Sequence, residues 1–388
     1  MTRWIAAGGV FLVSLDSTVN VAFPAMAATF AVAPETLRWV IVAYVFAYAV
    51  MSFVGGAAAD VVGHARVFRL GVAASIIGFV VAGTAGTFDA LLVGRFVQGL
   101  AGGLVYGTAP GLVTLATPPA ARGRALGFLN AALGVALTVG PIIAGVLVDA
   151  VGWRSIFHLR VPVALVVLAW SLALASVGAP ATRRLVSVAD VLRARVLAAG
   201  LLAFVANAGI FAIWLLASFY LVGARGLSAT ASGVVFMLTP LGMTLAAPLA
   251  GRVVDRVGAH APLVAGLVLE AAGLAVMSAA DERTSIALVS AALFAAGAGL
   301  GIFQVPYMAV VMAAFPSGQQ GAAGGFAFLA RTLGVVAGVL VLAEVFAARR
   351  AAAGFTAAFA EAFVVAAAGV AVAAVLALVL PRTASSRR

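Results

Sequence analysis

Apolar residues run along this chain in stretches of about 20 or more, too long for strands and without the polar face of a soluble amphipathic helix. The breaks carry arginine, glycine and proline. They predict helices near 4–28, 37–58, 66–86, 89–115, 123–149, 156–178, 196–222, 229–251, 260–280, 284–313, 321–347 and 356–380. The pattern is that of an all-α polytopic membrane protein with about twelve transmembrane helices in two pseudo-symmetric six-helix halves. The expected layout is an N-terminal bundle over 1–178, a cytoplasmic central loop over 179–195, and a C-terminal bundle with a short cytoplasmic tail over 196–388. Arg3 and the small residues around Ala25 and Ala27 also have the form of a cleaved leader, but Asp16 and Asn20 interrupt its apolar run.

Composition sharpens the membrane reading. Of 388 residues, 65% are hydrophobic and 9% charged, against roughly 25% charged in soluble domains. Cysteine and lysine are both absent, which excludes disulfides, thiol nucleophiles and the lysine-bearing phosphate loop of ATPases. His64, His158 and His260 lie apart near loops, so no metal or other cofactor is expected. The 23 basic residues are all arginine and sit between apolar runs, which points to anionic lipid headgroups rather than nucleic acid. Counting loops, fourteen arginines fall on one side. Seven fall on the other, namely Arg38, Arg154, Arg160, Arg225, Arg283, Arg349 and Arg350. The positive-inside rule then puts both termini in the cytoplasm.

Polar residues inside the runs carry the candidate chemistry. A carboxylate at membrane depth costs about 2.5–3.5 kcal/mol on insertion scales, so Asp16 needs a protein or water partner. Burial favours its protonated form and a nearby guanidinium its ionised form, which suits a group that takes up and releases protons. Arg95, Gln98 and Gly102 share one helix stripe, and Arg95 is expected to tune Asp16 or to hold backbone carbonyls. Glu270, at the centre of the ninth run, is a further proton-coupling candidate, with a merely protonated or snorkelling residue as the alternative. Gly297, Gly299 and Gly301 lie inside a span and read as helix packing rather than a nucleotide loop.

An internal repeat organises these features. Gly56, Asp60 and Gly63 recur as Gly251, Asp255 and Gly258, 195 residues later, at the end of the second run of each half. Two parallel repeats follow from this.

Several motifs now resemble the major facilitator superfamily, and the first half is similar to its drug:proton antiporter branch. Leu15-Asp-Ser-Thr-Val-Asn-Val-Ala-Phe-Pro24 is similar to that branch's first-helix signature, and Trp39 and Tyr44 to its second-helix pattern. Gly56, Asp60, Gly63 and Arg66 resemble the cytoplasmic loop motif, with Val61 and His64 at usually basic positions. Arg95-Phe-Val-Gln98-Gly99 resembles the proton-coupling motif. Gly140-Pro141-Ile-Ile-Ala144-Gly145 resembles the antiporter motif of the fifth helix. Trp153-Arg-Ser-Ile-Phe157 with Pro162 follows a further pattern in which Arg160 replaces asparagine, and Arg331-Thr-Leu-Gly334 resembles a late-helix signature. The resemblance implies conformational gating by Gly56, Asp60, Gly63, Arg66, Gly140, Pro141 and Arg331, and the repeat adds Asp255 as the weaker counterpart of Asp60.

Together these readings predict a monomeric, proton-coupled transporter of the cell membrane, not an enzyme. It would export apolar or cationic organic compounds through a cavity lined by Asn20, Tyr44, Gln98, Asn130, Asn207, Trp214, Gln304 and Tyr307. A specific metabolite exporter or importer is the alternative within the class. A channel or membrane-embedded enzyme lacks a visible filter, nucleophile or metal set.

Overall fold

A computed structural model describes residues 1–118, 122–174, 194–314 and 320–379. The expected central loop over 179–195 falls almost wholly outside these, and so do the side chains of Asp60, Asn130 and Asp255. Among the described residues the chain is helical and has no strand. Among the described residues ten helices are long and apolar enough to cross a membrane.

The first six expected segments correspond to α1 (Thr2–Ser14), α2 (Thr18–Val21), α3 (Phe23–Phe30), α4 (Arg38–Val62), α5 (His64–Gly83), α6 (Phe88–Leu115), α7 (Arg122–Val151), α8 (Ser155–His158) and α9 (Arg160–Ser171). The first segment is therefore not one helix but three pieces. The sixth is shorter than expected, an apolar stretch over Ser155–Ser171. The second half continues with α10 (Ala194–Phe219), α11 (Ala229–Phe236), α12 (Leu238–Val257), α13 (His260–Ser278), α14 (Ile286–Ala314) and α15 (Gln320–Val379). The last two expected helices are joined in α15, which turns at Gly354, where φ is 80° and only glycine is at ease. Across that turn the exposed side chains of Arg349 and Glu361 pair at 3.1 Å.

The chain divides into two compact units, one of Met1–Thr182 with Leu227–Val234 and one of Arg183–Gly226 with Val235–Arg388. In the first, α6 packs along both α4 and α5. In the second, α14 packs along α12 and α13 in the same way, and α10 packs along α15.

Glycine makes these contacts close. A Cβ on Gly99 would lie 2.3 Å from the Tyr44 carbonyl oxygen, and one on Gly103 2.7 Å from that of Tyr48. In the second unit Gly297 stands 1.9 Å from the Thr239 carbonyl by the same measure, and Gly301 2.4 Å from that of Met243. Residues 44 and 48 precede 239 and 243 by the 195 residues of the sequence repeat; the repeat thus recurs as a packing geometry. Its turns recur too. Gly63 and Gly258 both have positive φ, 103° and 82°, and their amides donate to Ala59 and Val254 at 2.9 Å in each case.

Candidate functional site

Asp16 lies at the break in the first segment. α1 stops at Ser14, Leu15–Ser17 make a 3₁₀ turn, and α2 begins at Thr18. Such a turn disturbs the carbonyl partners of a regular helix, and side chains supply substitutes. The Thr18 hydroxyl donates to the Leu15 carbonyl at 2.6 Å, and the Arg160 guanidinium donates to both that carbonyl and the Thr18 hydroxyl.

Arg95 meets Asp16 from α6. Its two terminal nitrogens donate to the two carboxylate oxygens, at 2.5 Å and 2.8 Å. Nε donates to the Val40 carbonyl at 3.1 Å, and the Gln98 amide oxygen accepts a further bond at 2.8 Å. Arg95 thus contacts the Asp16 carboxylate and a backbone carbonyl at once. The guanidinium also lies 4.4 Å over the Tyr44 ring, a cation–π contact. Gln98 in turn donates to the Gly78 carbonyl at 3.0 Å. Arg95 is 2% exposed and Gln98 3%, so Tyr44 and Gln98, expected as cavity lining, serve here as ligands of Arg95. Asn20 is half-buried on α2. Gly102, on the same stripe, faces Val13 of α1 and the Tyr44 hydroxyl.

Arg160 corrects the sequence reading. Loop counting put it on the outer side, but it opens α9 and is 2% exposed. Besides the bonds above, it forms an ion pair with Asp16 at 3.4 Å and lies near the rings of Phe79 and Phe157. The signal that marks it is its departure from the asparagine pattern. Charge counting cannot find it, because a loop arginine and one folded back against the helix bundle look alike in sequence.

The antiporter-like segment of α7 is a contact surface. Gly140 faces the Ser17 hydroxyl beside Asp16, while the carbonyl of Pro141 abuts Gly233 and Gly145 abuts the Ala229 carbonyl. One turn further on, Asp149 accepts hydrogen bonds from the amides of Ala229 and Thr230, at 3.0 Å and 2.7 Å, and from the Thr230 hydroxyl at 2.6 Å. It caps the start of α11 from a distant helix. Asp149 was not singled out from sequence, where an acid at the end of an apolar run reads as a loop charge. Of the other gating candidates, Gly56 approaches the Gly107 carbonyl and Arg66 is exposed.

In the second unit, the Asn207 amide donates to Ala203 of its own helix at 2.8 Å. Trp214 stands edge-on to Phe236, and the Tyr307 hydroxyl donates to the Ala327 carbonyl at 3.2 Å. Gln304 has a buried amide nitrogen without a partner, and Arg331 is half-buried. Glu270 is 0% exposed, and neither carboxylate oxygen has a partner. It packs where α13 meets Gly299 of α14, so it does not snorkel. By the repeat its counterpart is Ser75, whose hydroxyl donates to the Gly71 carbonyl at 2.9 Å. The helix-four counterparts are shifted by 198 (Gly99 to Gly297), which makes Leu293 the partner of Arg95 and Ala296 that of Gln98. The charged cluster is thus not duplicated.

Among the described residues no group of His, Cys, Asp or Glu is arranged to hold a metal ion.

Comparison with known proteins agrees with this picture. A family model described as the Major Facilitator Superfamily matches residues 5–339 and 199–388. The chain is 30% identical to the multidrug resistance protein Stp of Mycobacterium tuberculosis, over 89% of this chain and 75% of that one. It is 29% identical to the tetracenomycin C resistance and export protein of Streptomyces glaucescens, over 90% and 76%. In fold it is similar to a POT family transporter solved with 5-aminolevulinic acid, with a TM-score of 0.80, 14% identity and coverage of 95% and 94%.

Proposed function

The chain belongs to the major facilitator superfamily, and from that premise we propose that it exports organic compounds in exchange for protons, by alternating access. It is a multi-pass membrane transporter and not an enzyme. The drug resistance and export named for two of its relatives support efflux as the direction.

The observation that carries proton coupling is the bidentate Arg95–Asp16 pair at the break of the first segment. A carboxylate held by two guanidinium groups stays ionised. When its surroundings change and the fork opens, the same buried carboxyl group favours a proton. Asp16 then holds the proton in one state and gives it up in the other, and Arg95 sets which. Glu270 is the second carrier in this proposal, because a fully buried carboxyl group without a donor is most stable with its proton on. In this proposal the cargo is received by polar and aromatic side chains such as Asn20, Asn207, Trp214 and Gln304. Gly140, Pro141 and the glycine turns at Gly63 and Gly258 would allow the packing to change. Both termini would face the cytoplasm of the cell, and the functional unit would be a monomer.

Proteoliposomes with an imposed proton gradient test this. The native chain is expected to move a fluorescent organic substrate only when the gradient is present, and Asp16→Asn and Arg95→Ala are expected to abolish that dependence. Accumulation by the native chain without a gradient would sink the antiporter reading. Substrate-dependent proton release that persists in Asp16→Asn but vanishes in Glu270→Gln would move the main carrier to Glu270.

A further inference from the structure

Arg160 changes the charge balance of the site. The buried cluster holds two guanidinium groups, Arg95 and Arg160, against one carboxylate, Asp16. Among the described residues, the other side chains in contact with it are neutral: the Gln98 amide, the Tyr44 ring, the Thr18 hydroxyl and the Phe79 and Phe157 rings. Arginine does not give up its proton in a protein. The cluster therefore carries one net positive charge when Asp16 is ionised and two when it is protonated.

The geometry also removes Asp16 as a receptor for cations. Its side chain is 20% exposed and is the open member of the cluster. Yet one oxygen is taken by Arg95 and Arg160 together and the other by Arg95. An ammonium group on a cargo molecule would have to displace a forked guanidinium already in place. The other carboxylate deep in a span, Glu270, is wholly buried. On the opposite side of the balance, Arg160 Nε is a buried donor with no acceptor. Away from bulk water, an uncompensated charge acts on a charged solute far more strongly than it would at a surface.

We propose that Arg160 is a specificity-determining residue: the excess positive charge it brings beside Asp16 makes the transporter select organic anions, such as carboxylates and sulfonates, over cations. This rests on the transporter reading above and narrows it, replacing the cationic cargo expected from sequence. A purely positioning role for Arg160, pinning the Leu15–Thr18 break, would leave charge selectivity untouched.

The test is equilibrium binding to the full chain in lipid nanodiscs, using two dyes with the same xanthene core, anionic fluorescein and cationic rhodamine 123. The native protein is expected to bind fluorescein at least about tenfold more tightly than rhodamine 123. Arg160→Lys, which keeps the charge, should retain the preference. Arg160→Gln, which keeps hydrogen-bond donors but not charge, should erase or invert it. Equal or tighter binding of the cation by the native protein overturns the proposal, as does the lack of saturable fluorescein binding or an unchanged ratio in Arg160→Gln. The native measurement decides even if Arg160→Gln does not fold. Because no proton gradient is applied, the result stands or falls separately from proton-driven export.

Discussion

Lysine at position 95 would keep the charge of Arg95 but not its work. The guanidinium fills three directions at once, with the Asp16 carboxylate, the Val40 carbonyl and the Gln98 amide, and an ammonium on a flexible stem cannot span them. Arg95→Lys is therefore expected to lower proton-driven transport by about tenfold or more, since losing a bidentate charged bond is worth about 1.5–3 kcal/mol. Initial uptake rates in proteoliposomes measure this, and a native-like rate would show that charge alone suffices. Glu270 invites the opposite experiment. Its two oxygens lack partners, so an apolar side chain removes an unsatisfied polar group from the interior. Glu270→Leu is expected to leave thermal stability in detergent unchanged or to raise it by about 1–3 kcal/mol, while impairing transport. A clear fall in melting temperature would mean that the carboxyl group holds the fold together. Asp16 and Arg95 were legible in the sequence because a charge in an apolar run is conspicuous. Arg160 was not, because burial is a property of where α9 starts against α1.

Helix contacts here depend on the absence of side chains. The approaches of Gly99 to Tyr44 and of Gly297 to Thr239 are backbone against backbone, so nothing flexible can move aside. Gly99→Val and Gly297→Val are each expected to cost about 1–3 kcal/mol or more through overpacking. Thermal unfolding in detergent would show it, and a harmless valine at either position would contradict the packing. Elsewhere elements are fixed at their ends. Asp149 caps α11 with three hydrogen bonds, and Asp149→Ala should weaken that turn by about 0.5–2 kcal/mol. Faster amide exchange at Ala229–Gly233 would report it, and unchanged exchange would argue against the cap. Between α13 and α14, the Thr284 hydroxyl and the amides of Arg283 and Thr284 hold the exposed Asp281 carboxyl below its ordinary value of 3.8. A depressed folded value stabilises the turn above the unfolded value, and the benefit is lost as pH falls through the folded one. Protection of this turn should thus be flat near neutrality and decline only below about pH 4. The repeated glycines announced close packing in sequence, but which carbonyl each would meet depends on a neighbouring helix.

For the whole molecule, sidedness is open to direct measurement. The chain has no cysteine, so a single cysteine introduced at Glu282 should react with a membrane-impermeant thiol reagent on intact cells, and one at Arg66 should not. Reversed labelling would overturn the proposed orientation. The sequence by itself determined the class of the protein, because spans of about 20 apolar residues have only helical solutions in a bilayer that leave no backbone group unsatisfied. It also determined the duplicated turns at Gly63 and Gly258, since a backbone with positive φ needs glycine in both places. Only the tertiary structure decided the composition of the buried charge cluster. Asp16, Arg95 and Arg160 come from positions up to 144 residues apart, and which charges neutralise one another is set by distance in space, which a single chain read in order does not carry.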